Sequence, residues 1–485
     1  MGVSRIAACV AWLLVTTSVS GLASQARAAD ATSDASDPNS VSLGKTAIGD
    51  EELRDLKALP DAEKRRRLDI VLAAHPEDLP ARFLRLQVEV KLGDEAAVLS
   101  DSETVLENPA LSGRPRLWVL EWRADMLVHV RRAAEAIAVA DQALAIDNAD
   151  PEALFARGWA RYHQDQQQTD GALADLDRAL QLEPDEGVGH YRRAVVLQAR
   201  GVLDRAAQDY ERAVQLAPDD VPTRLAYGDL LMQTKDFEGA LAQVDVAVRL
   251  RPGDPGAWVE RELAHLRLKR FDDVVVDARQ AIELGATDDD LANAHSYLAT
   301  ALWRKSDFAG AAREFQSVLA FSDDHRIARS LGLMQWYSGQ LPKAIQTFRE
   351  QAAWPDSSPY TPLRLFIAQM QADPAVEAAA SAELVALAPV HQPHVWGDTL
   401  VDLMLGRGTI DAALVEADAA DTYQLRAGRR CEADYYAAER LLLHGQRELA
   451  SGLLEEAYWA CPSTYTEATA VEWERRRLAD GVMQH

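Results

Sequence analysis

Aromatic side chains make up only 7% of the 485 residues, and β-branched residues are sparse beside abundant Ala and Leu. That shortage tilts the chain away from sheet and towards helix. Basic charge is also short: 51 Lys and Arg stand against 76 Asp and Glu, a formal net charge of −25. An acidic surface of this size repels phosphate backbones, so nucleic acid is excluded as an expected partner. It suits solubility, and it would also steer basic partners or basic peptide segments. Beyond the first 28 residues no run of about 18 uninterrupted apolar residues occurs, so no membrane span is expected in the mature chain.

Catalytic signatures are missing as well. G-x-S-x-G, H-E-x-x-H and G-x-G-x-x-G do not occur. Gly44-Lys45-Thr46 has the ending of a phosphate loop, but Asn39 stands where its first glycine is needed. His391 and His394 are spaced like metal ligands, yet Pro393 lies between them and no third ligand is evident. The sequence therefore predicts neither enzyme chemistry, nor a metal, nor a cofactor.

What is present begins with an address. Met1 to Arg5 is a short basic start, Ile6 to Val19 is apolar, and Ala26-Arg27-Ala28 has the small-x-small form of a cleavage site. Residues 1–28 read as a secretory signal peptide, which predicts a periplasmic or secreted protein cleaved near Ala28. Its loss removes Cys9, Arg5 and Arg27 and leaves a charge of −27. Residues 29–49, rich in Ser, Asp and Ala, read as a flexible leader.

The main signal is a repeat. Ala179, Ala213, Ala247 and Ala281 are 34 residues apart, and Pro184, Pro218 and Pro252 keep the same step. With position 1 at Gly187, small residues fall at 8 (Ala194), 20 (Ala206) and 27 (Ala213), with Tyr210 at 24 and Pro218 at 32. Units opening at Leu117, Pro151, Val221, Pro255, Ala292 and His325 follow the register. Leu79 opens a poorer unit and Cys431 a last one. Positions 4, 7, 8 and 11 share one helical face, and 20, 24 and 27 share another. Small residues bring the two axes close, and the proline ends the second helix. A single such hairpin cannot bury its apolar face alone, so hairpins must stack.

This pattern resembles the tetratricopeptide repeat (TPR), exported bacterial type. The resemblance implies an all-α fold, a right-handed α-solenoid of stacked antiparallel hairpins whose first helices line a concave groove. It divides the chain into a helical cap (50–78), a repeat array (79–358), degenerate helical repeats (359–430), and a final unit with a polar capping helix (431–485). Within 359–430, helices are expected over 363–371, 375–388 and 396–405. Cys431 falls at position 1 and Cys461 at position 31 of one unit, so the antiparallel helices would bring the two together. A disulfide is expected, against the alternative of two buried free thiols.

Groove positions 2, 5, 9 and 12 hold Phe83, Trp118, Phe155, Trp159, Tyr162, Tyr191, Met232, Trp303 and Trp336. Exposed aromatics there would anchor a peptide, and Arg304, Arg326 and Arg329 would add a local positive spot. The resemblance implies a scaffold or adaptor of the bacterial cell envelope that binds proteins or peptides. A second reading is an enzyme or sugar-binding protein using His391, His394, Asp398 and Asp402 in the degenerate segment. A third is self-association through an uncapped end.

Overall fold

The computed structural model describes residues 46–109, 111–166, 169–354, 358, 360–388, 395–462 and 466–479. The proposed signal peptide, most of the leader, and His391 and His394 lie outside the described residues. Among these residues there are helices and turns and no strand. Among the described residues no helix is long and apolar enough to cross a membrane. The chain forms two compact units, one up to Gly253 and one from Asp254.

In the first unit the helix pair Asp50–Ala58 and Asp61–Ala74 precedes five hairpins. These are Leu79–Leu92 with Glu95–Glu107, Gly113–His129 with Ala133–Ile146, Pro151–Gln164 with Thr169–Leu182, Gly187–Ala199 with Leu203–Leu216, and Val221–Gln233 with Phe237–Leu250. The second unit continues with Pro255–Arg267 and Phe271–Glu283, Asp288–Arg304 and Phe308–Val318, and His325–Tyr337 and Leu341–Ala352. It then runs through Thr361–Ala372, Glu377–Leu387, Trp396–Met404 and Ile410–Asp418 to Tyr423–Leu443, Arg447–Ala460 and the terminal Thr466–Ala479. Each unit stacks successive hairpins in the manner of an α-solenoid.

The local causes repeat with the sequence. Asp78, Asp150, Asp220, Asp254 and Asp324 stand just before first helices and accept hydrogen bonds from Ala81, Ala153, Thr223, Gly256 and Arg326 backbone N–H groups. Second helices end at Leu182, Leu216 and Leu250, each two residues before a proline whose ring disfavours helix behind it. The turn inside the hairpin needs a left-handed residue at position 15. Gly93, Gly201, Gly339 and Gly445 supply it freely, whereas Arg131, Lys235, Lys269 and Ser306 adopt φ of 59–68° there at a steric cost. Ala194, Ala206, Ala213, Ala240 and Ala247 are buried between the axes. At Gly158 an added Cβ would lie 2.9 Å from Leu176 Cγ and 3.0 Å from the Ala172 carbonyl oxygen, so only glycine permits that approach.

A second periodic device went unread in the sequence. Position 7 holds Arg85, Arg157, Arg193 and Arg261, and each guanidinium forks onto an aspartate of its own second helix: Asp101, Asp175, Asp209 and Asp277. The Nη2 arm is 2.7 Å from its acceptor in all four. In three of them the remaining arm reaches 2.8 Å to Asp69, Asp141 or Asp177 of the preceding helix pair. The ladder thus ties each hairpin both to itself and to its neighbour. Although burial opposes ionisation of Asp209, hydrogen bonds from Arg193 and His190 hold its carboxyl below the usual range.

Two expectations need correction in the second unit. Cys431 lies in the third turn of Tyr423–Leu443, not at its start, because Thr422 caps that helix nine residues earlier. The helix pairing still brings the two cysteines together: the Cys431–Cys461 disulfide is present, with Cα atoms 4.8 Å apart. Nor is Thr466–Ala479 simply a polar cap. It buries Glu467 and Glu474, and Arg364 donates to Glu467 at 3.0 Å.

Candidate functional site

The expected groove residues separate into two groups. Phe83, Phe155, Trp159, Tyr162 and Trp336 are at most 5% exposed, so the expectation of open aromatic anchors fails for them. They fill the space between hairpins, because a large ring at these positions meets the next first helix before it meets water. In the first unit Trp159 stacks on Tyr162 with centroids 5.5 Å apart, stands edge-on to His163, and lies 6.3 Å from half-buried Tyr191. Burial pushes the His163 imidazole down to about 4, helped by nearby Arg192, so it is neutral at physiological pH. Phe83 packs on Trp122. Trp118 is half-buried against the same core and lies near Arg114, and Met232 is half-buried near the end of its helix.

In the second unit three of the expected residues, Trp303, Arg304 and Trp336, line one cleft of about 1180 Å³. Three first helices, ending at Arg304, Tyr337 and Ala372, and the end of Tyr423–Leu443 supply part of the wall. The terminal helix supplies Thr469, Glu472, Trp473, Arg476 and Arg477. Trp473 holds that helix in place: its ring is 4.9 Å from Tyr337, and its Nε1–H donates to the Tyr337 carbonyl at 3.2 Å. Phe308 stands edge-on to Tyr337 at 5.5 Å. Trp336 is fixed from behind by Nε1–H donation to Gln371 at 2.8 Å. Gln371 in turn donates to buried Glu439. Burial raises both the Glu439 and Glu474 carboxyls, and Arg477 partly offsets this at Glu474.

The floor is therefore aromatic and the rim is basic. Trp303, Phe308, Leu341, Leu442 and Trp473 are half-buried, leaving apolar surface open to a ligand. Among the lining residues four are arginines and one, Glu472, is acidic. Arg476 bonds Glu472 and reaches Ser306 Oγ at 3.0 Å, and Arg477 is committed to Glu474. Arg304 and Arg447 are exposed and have no carboxylate partner among the described residues. The Arg304 guanidinium lies 5.7 Å from the Trp303 ring centre. Of the expected positive spot, only Arg304 reaches the cleft. Arg326 is paired with Asp324, and half-buried Arg329 does not line it.

Among the described residues of the degenerate segment nothing comparable gathers. Asp398 accepts the Val395 N–H at 3.0 Å and caps its own helix, and Asp402 faces Arg407 at 3.9 Å. Among the described residues no three His, Cys, Asp or Glu side chains are grouped to hold a metal. Sequence reading missed Trp473, Arg476, Phe308, Tyr337 and Arg447. The available signal was Trp473 itself, a large apolar ring in an otherwise charged helix.

Tetratricopeptide-repeat family models match residues 157–221, 197–259 and 297–358. No curated protein matches the chain. Among solved structures, the chain is similar to a tetratricopeptide repeat protein from Parabacteroides merdae (15% identity, TM-score 0.37, covering 53% of this chain and 98% of that one). It is also similar to MamA from Desulfovibrio magneticus RS-1 (21%, TM-score 0.33, 36% and 98%). A third likeness is to YrrB, described as a TPR protein with an unusual peptide-binding site (20%, TM-score 0.32, 42% and 97%).

Proposed function

The chain is a tetratricopeptide-repeat protein, and we propose that it serves as a scaffold of the bacterial cell envelope, holding a segment of a partner protein in the cleft of its second unit. Repeats of this class are in general protein-binding and non-catalytic. The observation that carries the reading is the half-open aromatic surface of Trp303, Phe308 and Trp473 in one cleft with exposed Arg304 and Arg447, which have no carboxylate partner among the described residues. Large rings beside arginine are the side chains that concentrate binding energy at protein interfaces. Work outside the cytoplasm is supported by the basic, apolar and small-residue pattern of residues 1–28 and by the Cys431–Cys461 disulfide, a bond that persists in oxidising compartments.

The test places a photo-cross-linking amino acid at Pro342, an exposed position on the cleft wall, and separately at Val276, 62% exposed and outside it. In envelope extracts, discrete protein adducts are expected from Pro342 and not from Val276. Equal adducts from both positions would remove the cleft as the binding surface. The exported chain should begin after Ala28; an intact Met1 on cytoplasmic protein would remove the envelope assignment.

A further inference from the structure

Charge on this cleft runs against the charge of the molecule. The chain carries −25, yet the cleft lining carries four arginines and a single glutamate. The two uncommitted arginines stand on different elements: Arg304 at the end of Asp288–Arg304, and Arg447 at the start of Arg447–Ala460. Both side chains are exposed, with no acid of the described chain within ion-pairing distance. By contrast, Arg85, Arg157, Arg193 and Arg349 each have a carboxylate 2.7 Å away. The same cleft is lined by apolar surface from Trp303, Phe308 and Trp473. The arrangement offers two separated anion contacts and one apolar seat.

Resting on the reading of the cleft as a protein-binding surface, we infer that its occupant is an acidic segment of a partner protein. Its carboxylates pair with Arg304 and Arg447, and one aromatic or aliphatic side chain lies on the ring floor. Guanidinium forks suit carboxylates, and their pairs gain strength beside low-dielectric aromatic walls. Arg476 adds a third positive end, already held by Glu472, which an incoming carboxylate would share. This reverses the preference for basic segments that the net charge alone implies, because the local field at the cleft and not the summed charge decides what docks there.

The probes are three labelled short peptides, each with one Phe, in which the other positions are Glu, Gln or Lys. They are titrated by fluorescence anisotropy against the full chain. The Glu peptide is expected to bind about tenfold tighter than the Gln peptide and to weaken with added salt. The Arg304→Glu/Arg447→Glu variant should lose about tenfold or more of that affinity. The control Arg267→Glu, on an exposed site outside the cleft, should keep it, with circular dichroism unchanged in both. Preference for the Lys peptide, lost in the cleft variant, would overturn the acidic occupant while leaving the cleft a protein-binding surface. Tighter binding of a uronic-acid oligosaccharide than of the Glu peptide would overturn it in favour of a sugar. Self-association abolished by the cleft variant would assign the site to a second copy. Binding of none of the peptides would overturn the inference, and absence of Pro342 cross-links would separately remove the reading beneath it.

Discussion

The two compact units solve the same packing problem with different chemistry. Up to Gly253, the aspartate caps recur and the Arg–Asp fork recurs in three of the hairpins, so the first unit is held by interactions written into the period. From Asp254 the fork appears once, at Arg261–Asp277, and then lapses, with Leu298 and Leu331 at the equivalent position. In its place come one disulfide, buried carboxyls on Tyr423–Leu443 and Thr466–Ala479, and a terminal helix anchored by Trp473. The regular unit also leaves some rings half-buried, such as Trp118 and Tyr191, but in the irregular one half-open rings gather around a cleft. Departure from the repeat, rather than the repeat itself, creates the candidate site.

The largest expected effect tests whether the irregular unit depends on its covalent bond. Cys431 and Cys461 close a loop with a separation of 30 residues, for which chain entropy gives about 3–4 kcal/mol. Replacing both cysteines by alanine should lower stability by that order. In hydrogen exchange, protection should fall across 423–460 and stay unchanged across 151–216. Equal loss in both regions would erase the distinction between the units. Two alkylatable thiols in native exported protein would show that the bond does not form there.

Much of the first unit was legible because it depends on local spacing. Helices begin at Pro151, Gly187 and Val221, where the repeat register opens its units. Small residues at fixed steps can be read without knowing what lies opposite them. The Arg–Asp ladder was just as periodic, with a separation of 16 residues, or 18 where the Pro151 hairpin has a longer turn. It escaped notice because charged residues at position 7 look solvent-facing until the second helix is in place. The second unit was harder for a physical reason. Glu467 and Glu474 sit on the buried face of a helix rich in Glu and Arg, so hydropathy assigns that face to water. Ile410–Asp418 went unassigned, and Tyr423–Leu443 begins before the repeat register resumes. A cleft assembled from helix ends far apart in sequence leaves no spacing to read.

The middle-sized effect concerns one carboxyl that breaks the repeat rule. Position 8 carries a small residue in the better units, but in the hairpin from Pro255 it is Glu262, fully buried, with neither carboxyl oxygen hydrogen-bonded among the described residues. Burial, and then the nearby Asp277 charge, push it up to about 10. A carboxyl whose folded value lies above its unfolded value holds its proton better in the folded chain. The contribution of Glu262 to stability is therefore fully present below about 4.5 and is lost as pH rises towards 10. Glu262→Leu, which removes the ionisable group and keeps most of the volume, should raise stability by roughly 2–3 kcal/mol at neutral pH. It should also flatten the alkaline decline in urea midpoint. A pH slope identical to that of the parent protein would show that Glu262 finds a partner or water in solution.

The smallest expected effect probes the ladder on both sides of the division. Arg193→Lys and Arg261→Lys each keep the positive charge but give up the planar fork onto Asp209 and Asp277. An ammonium reaches one carboxylate oxygen well and cannot span both, so each variant should lose about 1 kcal/mol in denaturant unfolding. Arg193 also bridges to Asp177 of the preceding hairpin. Lysine cannot serve Asp209 and Asp177 together, so Arg193→Lys should additionally lower hydrogen-exchange protection in Thr169–Leu182. If that neighbouring helix is unaffected, the fork stabilises single hairpins only, and stacking in the first unit rests on its buried alanines and rings alone.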